Sequence, residues 1–373
     1  MKPNRFAFHI AAFLVTLVAL FVFSGSGHTG EIQDRLLCHA IGIDFAQGEY
    51  NVTLQAFKPS GAGSDTPVDI TKSNIEVIKG SGRTVSEALR QCENEHGKEV
   101  FLGHLKLICL GSSVTLTQPR SLFEFCLRDR TVYLGVDICL ADNAGELMST
   151  ELSSEMLATE NYTYVIEKNA DKSRTVRCRL LDMLSLQSDG CAAMPVLTVQ
   201  MPDEKSEKLS EPTIQVAGTA LFKGGVLMPE MLGTDDISAF CMLCGTGKQA
   251  DIVIDNGGEK VSVSLAKGSS KRSVGQGSDG LVYKCRLSVV VHRVKDAVSV
   301  SDPDETARQV KRLLSQQLVR LFEKCVSEQE CDIFGVGRLL RHSYPKTYLE
   351  SADDLGQFYR TAVCEAEIEC LVE

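Results

Sequence analysis

Two thiols three residues apart, in Cys241-Met242-Leu243-Cys244, are the sharpest chemical feature of the sequence. At a helix start this spacing can form a redox pair or half of a zinc site, because the thiolate is both nucleophile and metal ligand. Zinc would need a second pair of ligands. The chain has no other such pair, and the nearest histidine in sequence, His292, lies outside any usual local spacing. A thioredoxin-like site wants the pair after a strand, at a helix N-terminus. Here Ile237, Phe240, Cys241 and Cys244 recur as an apolar helical stripe, which reads as core packing. A thiol-redox protein using Cys241 and Cys244 is the alternative.

The remaining reactive residue types carry less. His104 could act as a general base, but no nucleophile or carboxylate forms a motif with it, and it reads as a hydrogen-bonded strand residue. Gly80-Ser81-Gly82 lacks the further glycine or Lys-Ser/Thr of a phosphate loop and reads as a turn. Asp332 leads into Ile333-Phe334-Gly335, where aspartate usually bonds its own backbone. Glu365, Glu367 and Glu369 alternate as one face of a strand, expected to be solvated rather than metal-binding. Glu151, Glu155 and Glu160, near Asn161-Tyr162-Thr163-Tyr164, offer a mixed polar and aromatic contact patch. No catalytic, cofactor-binding or metal-ligating set is expected.

The elements around these residues mix helix and strand. Leu36 to Phe57 reads as a hairpin with Gln47-Gly48 at its turn. A polar loop follows from Lys58 to about Val68. Thr84-Val85-Ser86-Glu87 has capping-box spacing, and Val85, Ala88, Leu89 and Cys92 form an inward helical stripe that stops near Gly97. His104 to Leu110 is a continuous apolar strand, followed by a helix around Pro119 to Leu127 and a strand from Val132 to Leu140. Met201 to Glu211 is densely charged and flanked by Pro202 and Pro212, which marks it as a linker. Beyond it Thr213 to Phe222, Asp251 to Asp255, Val261 to Leu265 and Val282 to Val291 alternate at period two. A long helix over 302–326 carries Ala307, Val310, Leu314, Leu318, Leu321 and Cys325 inward, with Pro303 in its first turn. The C-terminus returns to strand, with Cys364, Ala366, Ile368, Cys370 and Val372 facing one way.

These elements predict an α/β (α+β) chain: an N-terminal signal or anchor helix, then two or three domains of mixed β-sheets flanked by helices. The units expected are a segment over 1–30, an α/β domain over 31–200, a linker over 201–211, a sheet domain over 212–280 and an α/β domain over 281–373. Phe6 to Phe23 is an apolar run of eighteen residues after Lys2 and Arg5. As a helix it would span about 27 Å at ~1.5 Å per residue, enough for a thin hydrocarbon core. Phe6, Phe13, Leu17, Leu20 and Phe23 would form the anchor, and the basic residues would stay cytoplasmic and send the rest outward. Cleavage after Ser26 is the competing outcome.

Lys2 and Arg5 are two of the 39 basic residues, so the exported part holds 37 against 49 acidic ones, a formal charge of −12. Nucleic acid is excluded as a partner on that charge. Of the fourteen cysteines, Cys109, Cys126, Cys139, Cys285, Cys364 and Cys370 sit inside apolar periodic runs, which predicts mostly free, buried thiols.

Several stretches together resemble the Ger(x)C proteins, the C subunits of nutrient germinant receptors in spore-forming bacteria. Gly42-Ile43-Asp44 is similar to the family's opening, and Gly82-Arg83-Thr84, Glu87-Ala88, Gly103-His104-Leu105-Lys106 and Gly111 to its most recognisable run. Gly218-Thr219-Ala220-Leu221-Phe222-Lys223, with Leu227 and Leu232, resembles the start of its second half. Asp332-Ile333-Phe334-Gly335-Val336-Gly337, with Arg341 and Pro345-Lys346, resembles its C-terminal signature. Members are usually lipoproteins with Gly-Cys after the signal. Register back from Glu31-Ile32 puts Ser26 in the place of the lipidated cysteine, and serine cannot form the thioether. The chain also lacks Trp, with Tyr348 near a position where the signature commonly has one.

The resemblance implies a non-enzymatic subunit on the outer face of the spore inner membrane, partnered by germinant receptor A and B subunits, with no cofactor. Direct binding of a small-molecule nutrient by this subunit is not expected. With lipidation absent at Ser26, an uncleaved Phe6–Phe23 helix is the expected tether.

Overall fold

The computed structural model describes residues 13–16, 34–58, 75–117, 119–150, 158–184, 190–201, 212–256, 259–277, 280–295, 303–350 and 355–372. β1 (Arg35–Ala46) and β2 (Glu49–Phe57) form the expected hairpin. Its turn residues Gln47 and Gly48 have φ of 56° and 85°, the left-handed pair that a two-residue turn needs to match strand twist. β3 (Ile75–Gly82) pairs antiparallel with β2. α1 (Val85–His96) is capped by Thr84, whose hydroxyl accepts from the Glu87 N–H at 3.1 Å. The Glu87 carboxylate accepts in return from the Arg83 N–H at 2.9 Å, one residue before the cap. β3 lies so close to α1 that a Cβ at Gly80 would clash with the Ala88 carbonyl oxygen.

β4 (Glu99–Phe101) and β5 (Leu107–Gly111) run parallel to β1. α2 (Ser112–Thr117) and α3 (Pro119–Arg128) cross to β6 (Asp137–Ala141), parallel to β5. Next come α4 (Ala144–Ser149), α5 (Ala158–Asp171), α6 (Leu180–Leu184) and β7 (Cys191–Gln200), which lies parallel to β6. β8 (Thr213–Lys223) and β9 (Val226–Leu232) then add antiparallel. The resulting nine-stranded sheet has the order β3-β2-β1-β5-β6-β7-β8-β9, with β4 beside β1.

α7 (Ser238–Cys244) leads to a four-stranded sheet in the order β10 (Gln249–Asn256), β11 (Glu259–Gln276), β12 (Leu281–Lys295) and β13 (Val363–Val372). Between β12 and β13 lie α8 (Pro303–Phe322), a π-helical turn over Glu323–Glu328, α9 (Val336–Ser343), α10 (Pro345–Glu350) and α11 (Leu355–Thr361). α8 buries Val310, Leu314, Leu318 and Leu321 against the sheet, as its period predicts, and Cys325 is buried in the π turn.

Several expectations differ from the structure. The range 212–280 is not one sheet: β8 and β9 belong to the first sheet, and β10 and β11 share the second with β12 and β13. The charged stretch 201–211 joins paired strands, since Gln200 faces Thr213 in register. High charge alone does not tell a connection between paired strands from a domain linker. His104 stands in an exposed turn before β5 instead of inside the strand. Gly80-Ser81-Gly82 ends β3 instead of forming a turn. Of the anchor residues only Phe13 is described, in a short helical stretch at 67% exposure. Phe6, Leu17, Leu20, Phe23 and Ser26 lie outside the described residues. No helix among the described residues is long and apolar enough to cross a membrane.

Candidate functional site

Cys241 sits in the middle of α7 with no exposure, and its thiol donates to the Thr175 carbonyl at 3.2 Å. Burial pushes that thiol well above its ordinary range. Cys244, one turn on, is part-buried at 4.0 Å from the Tyr283 hydroxyl. Burial lifts its thiol to about 11, against a lowering from Arg272. A nucleophilic thiol needs the opposite environment, electropositive and accessible, so the pair is held as thiol and not as thiolate. All fourteen cysteines are free, and all but Cys191 and Cys244 are buried. These facts disfavour the redox alternative.

In the first half, the C-terminal ends of β1, β5 and β6 come together, the edge where open parallel sheets place ligands. Asp44, Thr53, Lys79, Ser113, Asn143 and Glu146 are among the residues around an open groove there, of about 750 Å3. The Asp44 carboxylate is already engaged: it accepts from the N–H groups of Ala144 at 3.0 Å and Gly145 at 2.7 Å. Asn143 caps the same helix by accepting from the Glu146 N–H at 2.8 Å, and the Ser113 hydroxyl accepts from the Phe45 N–H at 3.1 Å. A second groove of about 610 Å3 lies between the start of α1 and α3. Its cations are paired along their own chain segments, Arg83 with Glu87 at 3.7 Å and Arg128 with Glu124 at 3.8 Å. Neither groove converges a nucleophile, a base and an oxyanion donor, the minimum geometry for covalent chemistry.

The second half repeats the device of a carboxylate on a helix start. Asp332 accepts from the Val336 N–H at 2.7 Å and the Gly337 N–H at 2.8 Å, with the Tyr359 hydroxyl at 3.4 Å. Burial raises its pKa in spite of those donors. Asp332 thus bonds backbone close by, as the sequence predicts, and it positions α9.

The halves meet along a seam of polar and apolar contacts. The Cys241 thiol crosses it to the Thr175 carbonyl, and on the first-half side Thr175 and Thr219 share a buried hydroxyl bond of 2.8 Å. Glu330 pairs with Lys223 at 3.3 Å and with Arg360 at 2.6 Å, and Lys248 pairs with Asp171 at 3.0 Å. Leu221 and Leu232, from the first sheet, pack into the core of the second.

The remaining predicted residues separate. Glu160 pairs with Lys106 at 3.1 Å and Tyr164 is 52% exposed. Tyr162 is fully buried, donating its hydroxyl to the Leu147 carbonyl at 2.8 Å, so it supplies core and not contact surface. Glu151 and Glu155 lie outside the described residues. Glu365, Glu367 and Glu369 are exposed on β13, the first paired with Lys284 and the others with Arg286. Sequence reasoning does not find the bidentate pair of Arg177 with Asp137, at 2.7 and 2.9 Å, because partners forty positions apart leave no local signal.

Two family models match the chain in order. The model for the spore germination protein N-terminal domain covers residues 28–199, and the model described as spore germination B3/GerAC like, C-terminal, covers 217–373. Among solved structures, the crystal structure of the GerBC protein aligns with a TM-score of 0.56 at 15% identity, over 89% of this chain and 96% of that one. At that identity the likeness establishes the fold. No curated protein matches the chain.

Proposed function

The chain belongs to the GerAC-like family of spore germination proteins, and from that premise we propose that it is the C subunit of a nutrient germinant receptor, working by assembly with A and B membrane subunits. It is not an enzyme, as the domains of this family are non-catalytic. The observation that carries the reading is the pair of family matches, which in sequence order span both halves of a molecule whose part-buried carboxylates brace its own backbone. A subunit of this kind transmits force or position through contact surfaces. The seam at Glu330, Thr175 and Cys241 suits that role, because it lets a push on one half reach the other.

Its seat is the outer face of the spore inner membrane, with the Phe6–Phe23 segment as tether and Ser26 unlipidated. Co-purification from spores tests the assembly: the A and B subunits accompany this chain, and deletion of the chain abolishes the response to the receptor's nutrient. Recovery of the chain alone, with germination unchanged on deletion, removes the reading. Mass spectrometry of the mature N-terminus tests the tether separately, since a chain starting at Gly27 would have lost it.

A further inference from the structure

Between Asp332 and Glu350 the sequence carries no acid but holds Arg338, Arg341, His342 and Lys346. Arg338, Arg341 and His342 stand at i, i+3 and i+4 of α9, on the side opposite buried Val336, Gly337 and Leu340, and Lys346 continues the row on α10. All four are exposed. Among the described residues Arg338, Arg341 and Lys346 make no ion pair, although Arg286, Lys324 and Arg360 in the same half all do. Leu349 rises beside them at 72% exposure, with part-buried Tyr344 and Tyr348 behind.

Cations with no ion-pair partner among the described residues repel one another. In a chain of net charge −10 they are the local exception, and they call for an anionic occupant. The two grooves described above are lined by residues of the first half, and neither includes a residue of α9 or α10. A row of cations flanking a projecting leucine and tyrosines has the chemistry of an interfacial helix: charges meet headgroups, and apolar tips enter the acyl boundary.

We infer that the α9–α10 face docks on an anionic phospholipid surface, fixing the orientation of the protein at the membrane. This rests on the membrane seat proposed above but not on the identity of the partner subunits. A tether together with a basic patch is the two-signal arrangement that holds a peripheral protein firmly.

The chain has no Trp, so Tyr348→Trp places a single emitter within the face. The full chain carrying it is reconstituted into vesicles of phosphatidylcholine alone, or of equal parts phosphatidylcholine and phosphatidylglycerol, with brominated acyl chains as quencher. Emission is expected to shift to the blue and be quenched only where phosphatidylglycerol is present. Arg338→Glu, Arg341→Glu and Lys346→Glu together are expected to lower the docking equilibrium on the order of a hundredfold, at about fivefold per charge. Raised salt should undock the unaltered face without any substitution. Equal emission on both vesicles overturns the docking face alone, whereas a chain that associates with neither overturns tether and face together. Emission indifferent to phosphatidylglycerol, with the triple variant failing to co-purify with the membrane subunits, would assign the face to an acidic protein and overturn lipid docking.

Discussion

Around β1, β5 and β6 both faces of the first sheet are buried. Ala40, Leu107 and Cys109 pack with α4 and α5, while Ile41, Ile108 and Leu110 pack on the opposite side with α1 and α3. The second sheet hides one face only. Val263, Leu265, Tyr283 and Val289 lie under α8, and the other face shows Lys284, Arg286 and Glu365 to water. A sheet buried on both sides depends on its helices for two sets of contacts. A sheet with one wet face concentrates its apolar stabilisation in a single layer, and here that layer holds Phe240, Tyr283, Phe322 and Phe334 with ring centroids 5.0–5.6 Å apart.

The most severe test of that difference is Phe334→Ala. Emptying the centre of the aromatic cluster should cost about 4 kcal/mol, as large aromatic truncations in cores do. Ile108→Ala, on the face of the first sheet that α1 and α3 cover, should cost about 3 kcal/mol. Because Leu221 and Leu232 pack into the second core and Glu330 bridges the seam, both variants should lower one common transition in calorimetry and in urea. Two transitions, only one of which moves in each variant, would break the view of a coupled pair and leave two independent sheets.

A smaller effect separates the two carboxylate braces. Asn in place of Asp keeps one acceptor and loses the other, so Asp44→Asn and Asp332→Asn should each cost about 1–2 kcal/mol by urea denaturation. The Asp332 site also depends on pH. Asp332 has its pKa raised by burial, so the folded state binds its proton more tightly than the unfolded state does. Stability contributed at this site is therefore greatest with the carboxyl protonated and falls as pH rises through the raised pKa. The unaltered protein should lose stability relative to Asp332→Asn over that rise. A constant difference across the range would show that the backbone donors cancel burial, and a gain in stability over that rise would show that they outweigh it.

The same contrast explains which parts of the fold are legible in the sequence. In the second sheet Val261, Val263 and Leu265 alternate with Ser262 and Ser264 because one face is wet, so strand, face and burial all follow from the pattern. In β5 the run is continuously apolar, as it is in β6 after Asp137. Such runs announce a buried strand without saying which neighbour it joins, and nothing local assigns β8 and β9 to the first sheet. Tyr162 misleads in a different way. Its neighbours Asn161 and Thr163 are polar, but its helical spacing to Ile166 and Ala170, all buried, carries the correct face. The braces at Asp44 and Asp332 fall within stretches that carry the family resemblance, yet their backbone partners are visible only in the folded chain.

Cys241→Ala should cost about 1 kcal/mol, for a small void and one weak hydrogen bond to the Thr175 carbonyl across the seam. Alkylation gives a sharper reading of the same region. With its thiol lifted to about 11, Cys244 should react at neutral pH on the order of a hundredfold more slowly than a free cysteine. Rapid modification of Cys244 in the native protein, followed by mass spectrometry, would restore a thiol-based activity as a reading of this chain.

The least effect is expected on the wet face of the second sheet. Arg286 reaches Glu367 at 2.8 Å and Glu369 at 3.7 Å, yet all three side chains are more than half exposed. Water already solvates each charge in the unfolded chain, and holding long side chains in one geometry offsets the Coulomb gain at high dielectric. Arg286→Ala should thus leave the urea midpoint unchanged within error, at low salt and at high salt alike. The outcome that matters is a clear loss that Met at this position restores, since Met keeps an aliphatic stem and carries no charge. It would mean that Arg286 supports packing between β12 and β13 through its aliphatic stem, and that the second sheet, like the first, draws stability from both of its faces.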